Sequence, residues 1–384
     1  MSDALPAPSA DAQAASNALA ERIAARIGAN GGWLPFADYM DMALHLPGLG
    51  YYAGGSLKFG QAGDFVTAPE LTPLFGQALA RQVAQILAVP PGLTLLEVGA
   101  GSGRLAADLL LALETLDALP VQYAILELSG ELRARQRQTL AEIAPRLAER
   151  VVWLDALPDR FSGCVVANEL LDALPTHAAA WRAAGPMERG VVCTDTGFAW
   201  AERPAQGALA AAMAELPVTA PYESEVGLAA RAWVAEWGRR LEHGALLLID
   251  YGLPRRELYH PQRDRGTVRC HYRQRVHDDP FWWPGLSDIT SHIDFTAIAE
   301  AGHDAGLDVL GFTSQGAFLI NCGIGDLLAA RQQAGGAQAL RAHGALQTLL
   351  APGEMGELFK VIALGRGLPE PLLGFARGDR RHAL

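Results

Sequence analysis

The residues with the most chemical potential form one short run, Asn168-Glu169-Leu170-Leu171-Asp172-Ala173-Leu174-Pro175. Two acids, Glu169 and Asp172, stand three positions apart. In a helical turn that spacing puts both on one face. Paired carboxylates can move a proton, or they can grip a cation. A guanidinium, with its planar fork of donors, fits them bidentately. The plainer alternative is an N-capping turn with a solvated acid pair. A second run, Asp288-Ile289-Thr290-Ser291-His292-Ile293-Asp294-Phe295, adds two acids and a histidine. His292 reads as a base or a hydrogen-bonding orienter, against the commoner structural histidine. No second histidine stands at the helical spacing of a metal site, so no metal is expected.

Such groups need elements to position them. The apolar run Leu93 to Val98 reads as a short buried strand. It stops at Gly99-Ala100-Gly101-Ser102-Gly103, and a helix opens at Leu105. Strand, glycine turn and helix begin a nucleotide-binding α/β unit. A dinucleotide fingerprint wants its third glycine three places after the second, and Arg104 stands there instead. The spacing is G-x-G-x-G, with Glu97 two residues ahead of the first glycine. That pattern points to S-adenosylmethionine. This sulfonium compound has no pyrophosphate to seat, but its amino-acid tail carries an ammonium that a carboxylate at a strand end can help hold. Glu97, Gly99, Ala100, Gly101 and Gly103 are the first candidate cofactor residues; a turn without a ligand is the alternative.

The α/β alternation continues. Val121 to Leu126 ends in Glu127, Val151 to Leu154 in Asp155, Gly163 to Ala167 in Asn168-Glu169, and Ala245 to Ile249 in Asp250. Recurring polar strand ends place a ligand at the carboxyl edge of a mostly parallel sheet with helices on both faces. Glu127, with Leu128 beside it, can accept both ribose hydroxyls. Asp155-Ala156 belongs near the adenine edge, and Asn168 next to the cofactor methyl. For Glu127 and Asp155 the alternative is an acid facing a helix dipole. Methyl transfer to a guanidinium nitrogen is an in-line attack that needs the nitrogen held, aimed and freed from delocalisation. Glu169 and Asp172 are the pair that can do this.

Around that centre the chain divides into segments. Residues 1–15 read as a disordered lead-in. Residues 16–92 form an N-terminal helical and lid region, with helices at Ala18–Ile27, Phe36–Leu46 and Gly76–Leu87. Within it, the run from Phe59 to Gly76 is either a packed connection capped by Asp64 and Glu70 or a lid that brings Gly63 and Asp64 to the cofactor. The cofactor-binding core spans 93–251, with small antiparallel strands inserted at 178–204 and helices at 205–215 and 225–242. Residues 252–292 are an insertion on the substrate side, basic and then aromatic. Residues 293–384 complete the core, with a helix from Phe295 to Ala305, helical sequence over 324–350, and last strands at Val309–Thr313 and Phe359–Leu364.

Composition narrows the function. With 31 basic and 42 acidic residues the formal charge is −11, which argues against a nucleic-acid partner but leaves basic protein substrates open. The four cysteines are scattered without a C-x-x-C pair, so a reducing compartment is expected. Neither a signal-peptide pattern nor a membrane-spanning apolar run is evident.

At these residues the chain resembles the MidA-like family of class I methyltransferases, to which the mitochondrial complex I assembly arginine methyltransferase is related. The resemblance runs from about Ala24 to the final strand. It rests on Phe59-Gly60-Gln61-Ala62-Gly63-Asp64-Phe65-Val66-Thr67-Ala68-Pro69-Glu70, on Glu97 to Gly103, on Asn168 to Pro175, on Asp250-Tyr251-Gly252 and on Asp288 to Phe295, in the family's order. It implies an α/β fold, a seven-stranded Rossmann-like core with an added N-terminal helical region and an insertion before the last strands. It implies S-adenosylmethionine as donor and symmetric ω-N methylation of an arginine on a respiratory complex I subunit. Glu169, Asp172 and His292 become the candidate catalytic residues, and Asp288 and Asp294 the candidate substrate-binding acids. The expected setting is a bacterial cytoplasm. Two other readings stay open: a nicotinamide-dependent oxidoreductase, disfavoured by Arg104, and a non-enzymatic complex I assembly factor that keeps a cofactor site.

Overall fold

The structure is a computed structural model that describes residues 5–53, 67–89, 92–334 and 337–384. The expected lid contacts of Gly63 and Asp64 lie outside the described residues. Two compact units interleave along the chain. One gathers Met1–Phe65, Asp172–Ala232 and Leu253–Asp294; the other gathers Val66–Leu171, Trp233–Gly252 and Phe295–Leu384.

The second unit is built on a mixed sheet. Its strands are β1 (Thr94–Val98), β2 (Gln122–Leu126), β3 (Val151–Leu154), β4 (Phe161–Asn168), β5 (Leu241–Leu253), β6 (Asp308–Ser314) and β7 (Phe359–Arg366). They run in the order β3-β2-β1-β4-β5-β7-β6. β1 to β5 pair in parallel, and β7 lies antiparallel between β5 and β6. The parallel strands are nearly continuous apolar runs, as strands covered on both faces must be. Leu95, Ile125, Val166, Leu247 and Val361 have no more than traces of exposure. Phe75, Leu79 and Val83 of helix Pro73–Leu87 and Leu105, Leu109 and Leu113 of helix Arg104–Thr115 pack in the same core. The segment break placed at residue 92 therefore divides elements that share one core. Chain order reverses direction at β1, with β2 on one side and β4 on the other. A ligand binds outside the carboxyl ends of the strands at such a switch point.

The first unit carries a five-stranded antiparallel sheet made of Leu34–Pro35, His177–Arg182, Gly185–Thr194, Gly197–Pro204 and Tyr222–Val226. It also carries a small sheet of Arg269–Tyr272, Arg275–His277 and Asp288–Thr290. Leu19, Ile23, Phe36, Tyr39, Val191, Cys270 and Ile289 share one apolar cluster. The N-terminal helices, the inserted strands and the later insertion thus build one core rather than three appendages.

Several boundaries differ from the sequence reading, two of them for a clear physical reason. The lead-in is shorter than residues 1–15, because a helix spans Ala10–Ala29, with the Ser9 side chain accepting the Ala12 N–H at 3.3 Å. The alanine-rich start that read as disordered has the highest helix propensity available, and a serine cap sets its beginning. The helix expected from residue 225 starts at Leu228, because Tyr222–Val226 pairs with His177–Arg182. Among the described residues no helix is long and apolar enough to cross a membrane.

Candidate active site

At the end of β1 the glycine turn takes Gly99, Gly101 and Gly103 to φ values of 71°, 51° and 81°. At Gly103, which caps helix Arg104–Thr115, the left-handed backbone is matched by a steric demand. A Cβ there would lie 2.9 Å from Gln136 Cα. The Gly103 N–H donates to the Ala100 carbonyl at 2.8 Å, closing the turn. Ser102 supports it from below, donating its hydroxyl to the Glu70 carboxylate and accepting the Arg104 N–H at 3.3 Å. Arg104 turns along its own helix to pair with Asp108 at 2.9 Å. Burial pushes Asp108 up to about 6, with Arg104 opposing.

The acids at the strand ends have different surroundings. Glu97 is buried, and the Tyr123 hydroxyl donates to its Oε2 at 2.6 Å. Burial pushes its carboxyl up to about 7, and the Tyr123 hydrogen bond pulls the other way. Glu127, at the end of β2, is also buried. Its Oε1 accepts the Ser129 N–H at 2.9 Å and its Oε2 accepts from Gln136 Nε2 at 3.1 Å. Burial raises its pKa, while these donors and Arg133 lower it. Leu128 beside it is an apolar side chain left 79% exposed. Asp155 and Ala156 follow β3 and are exposed, and Asp155 pairs with Arg133 at 2.8 Å. Arg133 also donates to the carbonyls of Glu127 at 2.6 Å and Leu154 at 2.7 Å, so it ties the ends of β2 and β3 together.

At the end of β4, Asn168 Nδ2 donates to Glu169 Oε1 at 3.0 Å. Its Oδ1 is buried without a hydrogen-bond partner among the described residues. The helical turn expected over Glu169 to Asp172 does not form. Glu169 adopts φ 52°, and its N–H donates to the Ile249 carbonyl at 2.9 Å. The buried Asp250 then accepts the Leu171 N–H on Oδ2 and the Tyr251 N–H on Oδ1, each at 2.9 Å. With Glu169 in left-handed backbone and no helix over 169–172, the shared-face argument for Glu169 and Asp172 does not hold. Glu169 belongs to the second unit and Asp172 to the first.

Within the first unit, Asp172 and Asp288 are buried and both raise the pKa of the partly buried Tyr52, second to desolvation. The Tyr52 hydroxyl donates to Asp288 Oδ1 at 2.9 Å, and the Asp172 carbonyl accepts the Ser291 N–H at 3.2 Å. The structure thus brings Asp172 and Asp288 together around Tyr52. Asp294 engages arginines of its own unit instead, Arg255 at 3.2 Å and Arg231 at 4.0 Å. His292 is tied through its backbone N–H to Thr267 Oγ1 at 3.0 Å. Sequence reasoning missed Tyr52 and Gln136. Gln136 had one available signal: it interrupts the apolar series Leu132, Leu140 on the buried face of its helix.

These features fit a sulfonium nucleoside better than a dinucleotide. Arg104 stands where a dinucleotide turn has its third glycine, and Asn168 Oδ1 is a buried acceptor without a hydrogen-bond partner among the described residues. The strand order with its antiparallel β7 and this edge define a class I S-adenosylmethionine-dependent methyltransferase. Residues 76–313, more than half of the chain, match the Methyltransf_28 model of S-adenosyl-L-methionine-dependent methyltransferases, and the chain belongs to that family, the MidA-like one. A protein from Burkholderia thailandensis solved with S-adenosyl-homocysteine bound is 52% identical, with 99% of this chain and 100% of that one covered and a TM-score of 0.95. Among curated proteins, the mouse "Protein arginine methyltransferase NDUFAF7, mitochondrial" is 28% identical over 87% of this chain and 81% of its own length. The Drosophila melanogaster homologue is 26% identical over 97% and 91%. S-adenosylmethionine is the cofactor, and the oxidoreductase reading is set aside.

Proposed function

We propose that this methyltransferase acts on protein arginine, placing methyl groups symmetrically on the ω-nitrogens of an arginine in a respiratory complex I subunit, in the cytoplasm. The names of its curated relatives support the acceptor type. The observation that carries the reading is Glu169. A long side chain at φ 52° costs on the order of 1–3 kcal/mol and persists where the surroundings over-determine it, as they do at reactive sites. Here Ile249, Asn168 and the Asp250 tie on Leu171 fix the turn.

When bound, S-adenosylmethionine supplies an electrophilic methyl group on sulfur. Gly99 to Gly103 and Glu127 would hold it, with Leu128, Asp155 and Ala156 at the adenine edge, Glu97 toward the amino-acid tail and Asn168 near the methyl. Glu169 would accept guanidinium N–H groups as charge-assisted hydrogen bonds, fixing the plane and localising the lone pair of the attacking nitrogen. A guanidinium nitrogen that takes the methyl group would have a proton to lose, which a carboxylate can relay to water. Asp172 and His292 remain catalytic candidates, and Asp288 a substrate-binding candidate, on the resemblance alone. Asp294 already holds Arg255 and drops behind it.

The test is incubation with methyl-labelled S-adenosylmethionine and isolated complex I subunits, followed by mass spectrometry. Dimethylarginine is expected with the native chain. Glu169→Gln should lose more than 99% of the label while binding S-adenosyl-homocysteine within threefold of native. Label on another residue type would overturn the arginine reading. A fully active Glu169→Gln would remove Glu169 from the mechanism.

A further inference from the structure

We propose that Gln136 is a positioning residue for the cofactor, whose amide holds the glycine turn and the Glu127 carboxylate in one fixed relation. The inference rests on the reading that Glu127 binds the cofactor ribose. Gln136 lies in helix Gly130–Ile143 and has no measurable exposure. A buried amide is destabilising unless each of its groups is satisfied. This one is satisfied on three sides. Its Nε2 donates to the Gly101 carbonyl at 3.1 Å and to Glu127 Oε2 at 3.1 Å, and its Oε1 accepts from Trp153 Nε1 at 2.8 Å.

Those partners leave one orientation for the amide. Flipped, it would set its oxygen against a carbonyl and a carboxylate, and its N–H groups against an indole N–H. Trp153 is itself held from the other side, with the Arg137 guanidinium 4.5 Å from its ring centroid. Gln136 also meets the turn sterically, since its Cα lies only 2.9 Å from where a Cβ on residue 103 would go. One side chain therefore joins the loops after β1 and β2 to Trp153 on β3. Its effect on the cofactor passes through the Glu127 oxygen that it orients.

A double-mutant cycle on S-adenosyl-homocysteine binding, read by calorimetry, tests this. Gln136→Leu should weaken binding at least tenfold, and Glu127→Ala should weaken it too. With Glu127 already replaced, adding Gln136→Leu should cost less than threefold more, because the group it acts through is gone. Gln136→Leu binding within twofold of native, or two losses that multiply in the double variant, would overturn the proposal. If Gln136→Leu does not fold, Trp153→Phe replaces it in the same cycle, with an expected loss of at least threefold that vanishes beside Glu127→Ala. Glu127→Ala at native affinity would instead overturn the ribose reading, a result distinguishable from failure of Gln136 alone.

Discussion

Burial decides the protonation of Glu97, and the consequence can be measured as stability. The unfolded chain has this carboxyl near its ordinary 4.5, and the folded chain has it at about 7. Between those values the folded state binds the extra proton, so stability falls as pH rises through the window and the penalty is complete above it. A shift of that size corresponds to roughly 3 kcal/mol. Glu97→Gln keeps an acceptor for the Tyr123 hydroxyl and removes the ionisation. In urea unfolding without cofactor, the variant should exceed the native chain by roughly 3 kcal/mol at pH 8 and by little at pH 4.5. Asp108, raised to about 6, adds a slope of the same sign to both proteins and cancels in the difference. A gain equal at both pH values would show that Glu97 does not titrate as its burial implies. The sequence marks Glu97 by its place before the glycine turn. It does not show that Tyr123 takes one oxygen, because that contact depends on the register that sets Glu97 opposite Ile125 on β2. The same holds for Asp288, legible as an acid in a turn-like run but bonded to Tyr52, 236 residues away.

Among the elements, the strand, turn and helix around Gly99 to Gly103 were legible because each signal is local: an apolar run, glycines at left-handed positions and a helical pattern after them. Gly103→Ala tests the geometry. Left-handed backbone costs a non-glycine residue about 1–2 kcal/mol, and the new Cβ meets the helix backbone at Gln136. Thermal unfolding should register at least that loss, and S-adenosyl-homocysteine affinity should fall tenfold or more; an unchanged affinity would mean that the turn does not shape the cofactor site. The turn after β4 was not legible, since two acids three apart suit a helix and an irregular turn equally. What decides between them is Asp250, 79 residues further on. Asp250→Ala leaves the Leu171 N–H without this acceptor, a loss of about 1–3 kcal/mol. On the proposed mechanism, kcat should fall further than S-adenosyl-homocysteine affinity, because the turn presents Glu169. Equal falls in both would confine Asp250 to general stability. The first unit escaped the sequence for a related reason. Its strands within 178–204 were readable by alternation, but the others were not, and their shared core joins Leu19, Val191 and Ile289 from distant parts of the chain.

Net charge belongs to the whole molecule and needs no structure to read. A chain carrying −11 attracts a cationic acceptor and repels an acidic one, and such fields raise association rates by about 10- to 1,000-fold at low salt. The screening length is about 10 Å at 0.1 M ionic strength and about 3 Å at 1 M. Contacts made at hydrogen-bond distance outlast that change, whereas long-range steering does not. If the acceptor is an arginine in a basic segment, raising sodium chloride from about 0.05 M to 0.5 M should lower kcat/KM for the acceptor by roughly tenfold and leave kcat nearly unchanged. Binding of S-adenosyl-homocysteine, a ligand of no net charge that we propose rests on a buried carboxylate and backbone, should move less than twofold over the same range. Steady-state kinetics at fixed saturating cofactor separates these terms. A kcat/KM that rises with salt would mean that the acceptor surface is acidic, and the arginine would then have to be recognised against the field of the chain rather than with it.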